Sequence, residues 1–300
     1  MLLKSLKAKP GWFVFFFAFT FAFAVALLPG TSCFVPNALA DTGEEQSIKV
    51  LVIGNSYAVD GMDYRSGNGG GHLYQLLSEA GYTDITLGVL DSAASSLQAH
   101  LNSANNNSLS YAWHKFESQA SPNWTSTLYV TNVTMQYGIE YTDWDVIILQ
   151  QDNSLSHNES SYACLEELAA YINTHKTNPD ARLGWHMTWA HGLQGEASVG
   201  GGALIATPQG QLSMYNGIKS AVQNRIAANS AIDFIIPSGI AIQEMRGYVS
   251  GSTLIRSNVS QLSYDLGRYT AGMTWLRAIT GGSVDAVSYK PASVSEGEQN

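Results

Sequence analysis

The sequence predicts an α/β sandwich built on a mostly parallel, five-stranded sheet, and two observations carry that prediction. Short continuous apolar runs, several closed by glycine or proline, recur along the chain, as strands buried on both faces require. Between them lie segments with apolar residues at helical spacing, the alternation of a parallel sheet whose crossovers are helices.

The first strand is "IKVLVI" (48–53), β-branched and closed by Gly54. A helix follows in "HLYQLLSEAG" (72–81), where Gly81 is a common C-terminal stop. "ITLGVL" (85–90), "DVIILQ" (145–150), "RLGWHMTW" (182–189) and "DFIIPSG" (233–239) read as the second to fifth strands. "SYACLEELAAYINTHK" (161–176), "SMYNGIKSAVQNRIAAN" (213–229) and "LGRYTAGMTWLRAIT" (266–280) read as helices. Three stretches fall outside this rhythm. Residues 102–110, "NSANNNSLS", predict a surface loop. The strand-like composition around a Thr-Asn turn predicts an inserted hairpin at about 125–143. "SGNGGGH" (66–72) reads as a loop, since it lacks the Lys-Ser/Thr ending of a phosphate cradle. Residues 283–300 carry no strong pattern and predict a frayed tail.

The beginning of the chain is read apart from the fold. Lys4, Lys7 and Lys9 precede a long apolar run and then "NALA" before Asp41, the pattern of a secretory signal peptide over 1–40 with cleavage after Ala40. An uncleaved membrane anchor is the alternative, because the run approaches the length of a bilayer span. Cys33 invites a lipoprotein reading, but "PGTSC" lacks the usual apolar residue three positions earlier. Residues 41–47 form a polar lead, and 48–282 the predicted domain. Removing 1–40 takes away three of the 15 basic residues and no acid, leaving 12 against 24 acidic residues, a net −12. A surface so acidic, without basic runs, argues against nucleic acid and against stable membrane association once the signal is cleaved. Of two cysteines only Cys164 remains, which excludes an intrachain disulfide and a cysteine-rich metal cage. The expected destination is the exterior or the cell surface.

Chemistry concentrates where the first strand ends. In open α/β sheets ligands bind at the carboxyl ends of the strands. Ser56, in "KVLVIGNSYAVDG" (49–61), lies there and opens a helix. A serine at such a corner is either a nucleophile beside free backbone N–H groups or simply a helix cap.

"VIGNSY" resembles the first block of the SGNH/GDSL hydrolase superfamily, in which Gly-Asp/Asn-Ser carries the nucleophile. "ASSLQAH" (94–100), "WDVIILQQDNS" (144–154), "LGWHMTWA" (183–190), "IIPSGIAIQ" (235–243) and "LSYDLGRYTAGMTW" (262–275) are similar, in the same order, to a largely uncharacterised bacterial branch of it. The resemblance implies a three-layer α/β/α, flavodoxin-like domain and an esterase acting on a small ester or acylated glycan, with no metal or organic cofactor. It implies Ser56 as nucleophile, Ala94 in place of the glycine that donates its backbone N–H, and Gln151 as the amide donor, with Asn153 as second candidate. Where related sequences carry Asp-x-x-His, this chain has Asn258 and Gln261. Both keep hydrogen-bonding capacity and neither titrates, so Gln261 cannot take a proton from a serine. His186 is then the candidate replacement base, or a hydrogen-bonded histidine lining the cleft in a supporting or substrate-binding role; His157 and His191 lie on loops near the same edge. His100 and His114 are expected on helix or loop surfaces. Trp124, Trp185 and Trp189, with Tyr57, could form a sugar platform, whereas Trp144 and Trp275 are expected in the core. A non-catalytic module on the same fold is the competing reading.

Overall fold

The computed structural model describes residues 46–63, 71–117, 128–192, 208–256, 260–285 and 287–295. The elements run β1 (Gln46–Gly54), α1 (Ser56–Met62), α2 (His72–Glu79), β2 (Tyr82–Asp91), α3 (Leu97–Asn105), β3 (Tyr111–Glu117), β4 (Leu128–Val133), α4 (Met135–Ile139) and β5 (Val146–Gln150). They continue with α5 (Leu165–His175), β6 (Arg182–His186), α6 (Pro208–Ala221), β7 (Phe234–Ile236), α7 (Ser238–Met245), α8 (Gly251–Leu254) and α9 (Leu266–Thr280). The sheet has seven strands in the order β4-β3-β2-β1-β5-β6-β7. β2, β1, β5, β6 and β7 are parallel, and β3 and β4 are antiparallel additions at one edge.

The five predicted strands are thus present, and two more extend the sheet. The inserted hairpin is expected within 125–143; in the structure β4 pairs instead with β3, which carries His114. His114 therefore sits on a strand, its ring 4.7 Å from that of Tyr129, and not on a helix or loop surface. α3 continues to Asn105, so the first part of the expected polar loop is helical. His100, on that helix, is buried with Nδ1 2.8 Å from the Tyr111 hydroxyl.

Two apolar layers form because β1 alternates its side chains. Val50 and Val52 pack with residues of α1, α2, α7 and α9 on one face, while Leu51 and Ile53 pack with α3, α4, α5 and α6 on the other. The result is a three-layer α/β/α sandwich. α9 is held close to α1 by a glycine: a Cβ on Gly61 would stand 2.7 Å from Trp275 Nε1. Beyond Gly282 the described residues 283–285 and 287–295 lie against the domain, where a frayed tail was expected. Val287 and Val294 enter the core. The Glu79 carboxylate accepts bonds from Ser288 N, Ser288 Oγ and Tyr289 N at 2.8, 3.0 and 2.7 Å.

Candidate active site

β1 delivers the chain to the sheet's carboxyl edge between β2 and β5, the point where the strand order reverses. Gly54 is required there by close approach, since a Cβ would meet Gln150 Cδ at 3.1 Å and Ala58 Cβ at 3.1 Å. Asn55 then caps α1, its Oδ1 accepting from Tyr57 N at 3.0 Å. Ala58 and Val59 donate to the Asn55 carbonyl. Ser56 N–H is left without a partner among the described residues, as is the Ser56 hydroxyl, which is half-buried.

The turn after β2 is tied to this corner. Ser92 N donates to Gly54 O at 2.9 Å, and Asn55 Nδ2 reaches Ser95 O at 3.4 Å. Between them Ala94 is exposed, holds φ 52°, and makes no hydrogen bond through its N–H among the described residues. That left-handed backbone is one a β-carbon disfavours by about 1–2 kcal/mol. Ser56 and Ala94 thus present two unpaired backbone donors on turns bonded to each other.

The other expected positions are arranged differently. Gln151 is buried, and all its amide groups are engaged. Oε1 accepts from Leu97 N and Asp152 N at 3.0 and 2.9 Å; Nε2 donates to Ser161 O and Oγ, both at 3.0 Å. It braces the loop after β5 and has no N–H left for an oxyanion. Asn153 contacts His191 Nε2 and faces the buried Tyr57 hydroxyl. His186 lies wholly inside, Nδ1 3.0 Å from Gln150 Oε1 and its ring 4.8 Å from that of Trp275. Burial pushes its pKa down to about 3. A ring so enclosed is a supporting histidine, and the replacement-base reading is corrected on that ground. His191 is partly buried on the loop after β6; burial lowers its pKa to about 4, while the Asp152 charge raises it and His157 lowers it.

Gln261 is held by Arg256, whose Nη2 donates to its Oε1 at 2.7 Å. Asn258 and Trp124 lie outside the described residues. Trp185 and Trp189 are both buried, Trp189 stacked on Tyr57 at 4.7 Å with Nε1 on Ser260 O at 2.8 Å. They pack the interior and offer no sugar platform, as Trp144 and Trp275 also pack it.

Sequence reasoning missed a buried ionic cluster beneath this site. Asp60, one turn after Ser56, accepts from Arg268 Nε and Nη2 at 3.1 and 2.7 Å, from Arg256 Nη2 at 3.1 Å and from Leu262 N at 2.8 Å. Arg268 also reaches Asp63 Oδ1 at 2.6 Å. Burial raises the pKa of Asp60 although both guanidiniums pull it down. The cluster fastens the segment before α9 to α1. Its signal was "VDGMD" with "GRY": two acids and an arginine inside otherwise apolar helices.

Fold and site together define a parallel α/β/α protein with a serine at the switch point of its sheet. The chain belongs to the DUF4886 family (Domain of unknown function), whose sequence model matches residues 49–300. It is similar to a DUF4886 protein from Bacteroides uniformis of known crystal structure, 29% identical, with a TM-score of 0.70 over 85% of this chain and 91% of that one. More distant are a protein from Slackia heliotrinireducens described as a candidate SGNH hydrolase (15% identity, TM-score 0.45, 78% of this chain and 100% of that one) and a family 3 carbohydrate esterase from Clostridium thermocellum (15%, 0.44, 79% and 96%). No curated protein matches the sequence.

Proposed function

We propose that this chain is a secreted serine hydrolase of the SGNH/GDSL type that cleaves an ester, with Ser56 as nucleophile. The observation that carries this is the Ser56 corner: a half-buried hydroxyl without a hydrogen bond among the described residues, beside the unpaired N–H groups of Ser56 and Ala94. Backbone donors fixed in advance stabilise a developing oxyanion without reorganising during the reaction. In this reading Ser56 Oγ attacks the acyl carbon, its proton passes to a base and then to the departing alcohol, and water hydrolyses the acyl-serine. His191 is the proposed acceptor, carried on the loop after β6 at the same sheet edge. With a pKa of about 4 it is neutral at physiological pH but a weak base, so turnover is expected to be slow. An acylated carbohydrate as substrate, and export by residues 1–40, rest on the sequence patterns described above.

The experiment is hydrolysis of a small acetyl ester by the purified protein and by Ser56→Ala. Loss of hydrolysis in the variant supports the reading; equal rates remove Ser56 from the mechanism. A second reading, a binding module that kept the fold without the chemistry, is favoured by one observation: Gln261, which the resemblance aligns with the usual base, is bonded to Arg256. It expects no ester hydrolysis and saturable glycan binding by calorimetry.

A further inference from the structure

Four buried side chains form one directed hydrogen-bond chain across the carboxyl edge. Its polarity follows from one fixed point: Tyr57 N can only donate, so the Asn55 atom 3.0 Å away is the amide oxygen. Gln150 must then donate to that oxygen through Nε2, at 2.7 Å. This turns Gln150 Oε1 to His186, so Nδ1, 3.0 Å off, carries the ring proton. At the other end Asn55 Nδ2 faces two acceptors, Asp152 Oδ2 at 3.3 Å and Ser95 O at 3.4 Å. His186 Nε2 has no partner among the described residues, so the ring's one hydrogen bond there is its donation to Gln150.

We propose that His186 is a positioning residue that, through Gln150, orients the Asn55 amide and so sets the spacing of the Ser56 and Ala94 turns. This rests on the hydrolase reading above. Asn55 bonds to both turns: Oδ1 holds the second N–H of α1, one residue from Ser56, and Nδ2 holds the carbonyl one residue from Ala94. An amide can rotate by half a turn and exchange its ends. Gln150 Nε2 adds to Tyr57 N–H in preventing that, because the flipped Asn55 would set N–H against both donors. His186 fixes Gln150 in the same way. Histidine suits the post because one nitrogen donates while the ring packs against Trp189 and Trp275. The register makes the link possible, since Gln150 and His186 are paired residues at the ends of β5 and β6.

The test compares His186→Leu, which removes the donor, with His186→Asn, whose amide N–H falls near the position of Nδ1. Gln150→Met breaks the same chain one link further on and serves if His186→Leu does not fold. The readouts are the rate of Ser56 modification by a fluorophosphonate and the exchange rate of the Tyr57 amide hydrogen. Expected are a loss of about 10- to 100-fold in modification, the scale of a misplaced reacting group, and faster Tyr57 exchange in His186→Leu and Gln150→Met. His186→Asn is expected to recover most of both. If His186→Asn falls as far as His186→Leu, the ring acts by titration and the proposal is overturned. It is also overturned if His186→Leu lowers stability but leaves both rates unchanged. A wild-type protein that is never modified defeats the hydrolase reading alone, because Tyr57 exchange and the Nδ1–H tautomer, read by ¹⁵N NMR of labelled histidine, still decide the chain.

Discussion

The turn after β1 and the segment before α9 are joined through Asp60, yet their polar groups do opposite things. At the turn, Asn55 satisfies what it must and leaves the Ser56 hydroxyl and two N–H groups unpaired among the described residues. In the segment before α9, Arg256 and Leu262 N converge with Arg268 on the buried Asp60 carboxylate, and Arg256 also donates to Gln261 Oε1. One region has kept groups available for a ligand, and the other has turned its polar groups inward as a clamp. The lesson is that neighbouring polar groups in one fold can be left open at one turn and taken up by internal bonds at the next.

The clamp should show the largest effect. Arg268→Met leaves Asp60 and Asp63 buried without their main counter-charge, and removing one partner of a buried ion pair costs about 3–5 kcal/mol. Denaturant unfolding measures this; a loss below ~1 kcal/mol would mean that the cluster is not what joins the two regions.

Next comes pH. His100 and His186 are fully buried, with pKa values held by burial near 4 and 3. Each binds fewer protons folded than unfolded, so its contribution is complete above the unfolded value of about 6.5 and is lost as pH falls toward 3–4. By pH 5 the loss is on the order of 2 kcal/mol for each, with His191 adding in the same direction. The raised pKa of Asp60 acts oppositely and offsets part of it. Melting temperature measured from pH 8 to 5 should fall most steeply below 6.5; a flat profile would contradict the burial of these rings.

The smallest effect belongs to the turns. Ala94→Gly relieves a left-handed backbone and should stabilise the protein by up to ~1 kcal/mol, offset in part by glycine's greater unfolded-state entropy. Destabilisation by thermal melting would show that the Ala94 methyl packs usefully.

What could be read from the sequence follows from the range of the forces involved. β1, β2 and β5 were legible because a strand buried on both faces is a continuous apolar run. β3, "YAWHKFE", alternates buried and partly exposed residues at the sheet's edge and carries no comparable run. The bounds of α9 were read to the residue, with Gly281 as its left-handed stop. Ala94 was singled out only through the resemblance, whereas the place of Ser56 followed from the end of the first strand. Gln151 did not, because an amide's partners are decided by a loop ten residues away, at Ser161. Nor did the place of His186, since burial is a tertiary property that a lone histidine in "GWHMTW" does not announce. The Asp60–Arg268 pair spans 208 positions, so its charged residues are visible in the sequence but their pairing is not.

Whether Ser56 is a reactive hydroxyl set among backbone donors is decided by intact-mass spectrometry after exposure to a fluorophosphonate. One adduct is expected, located on the peptide containing Ser56 and absent in Ser56→Ala. A folded wild-type protein that takes up no adduct, or one whose adduct survives Ser56→Ala, would contradict it.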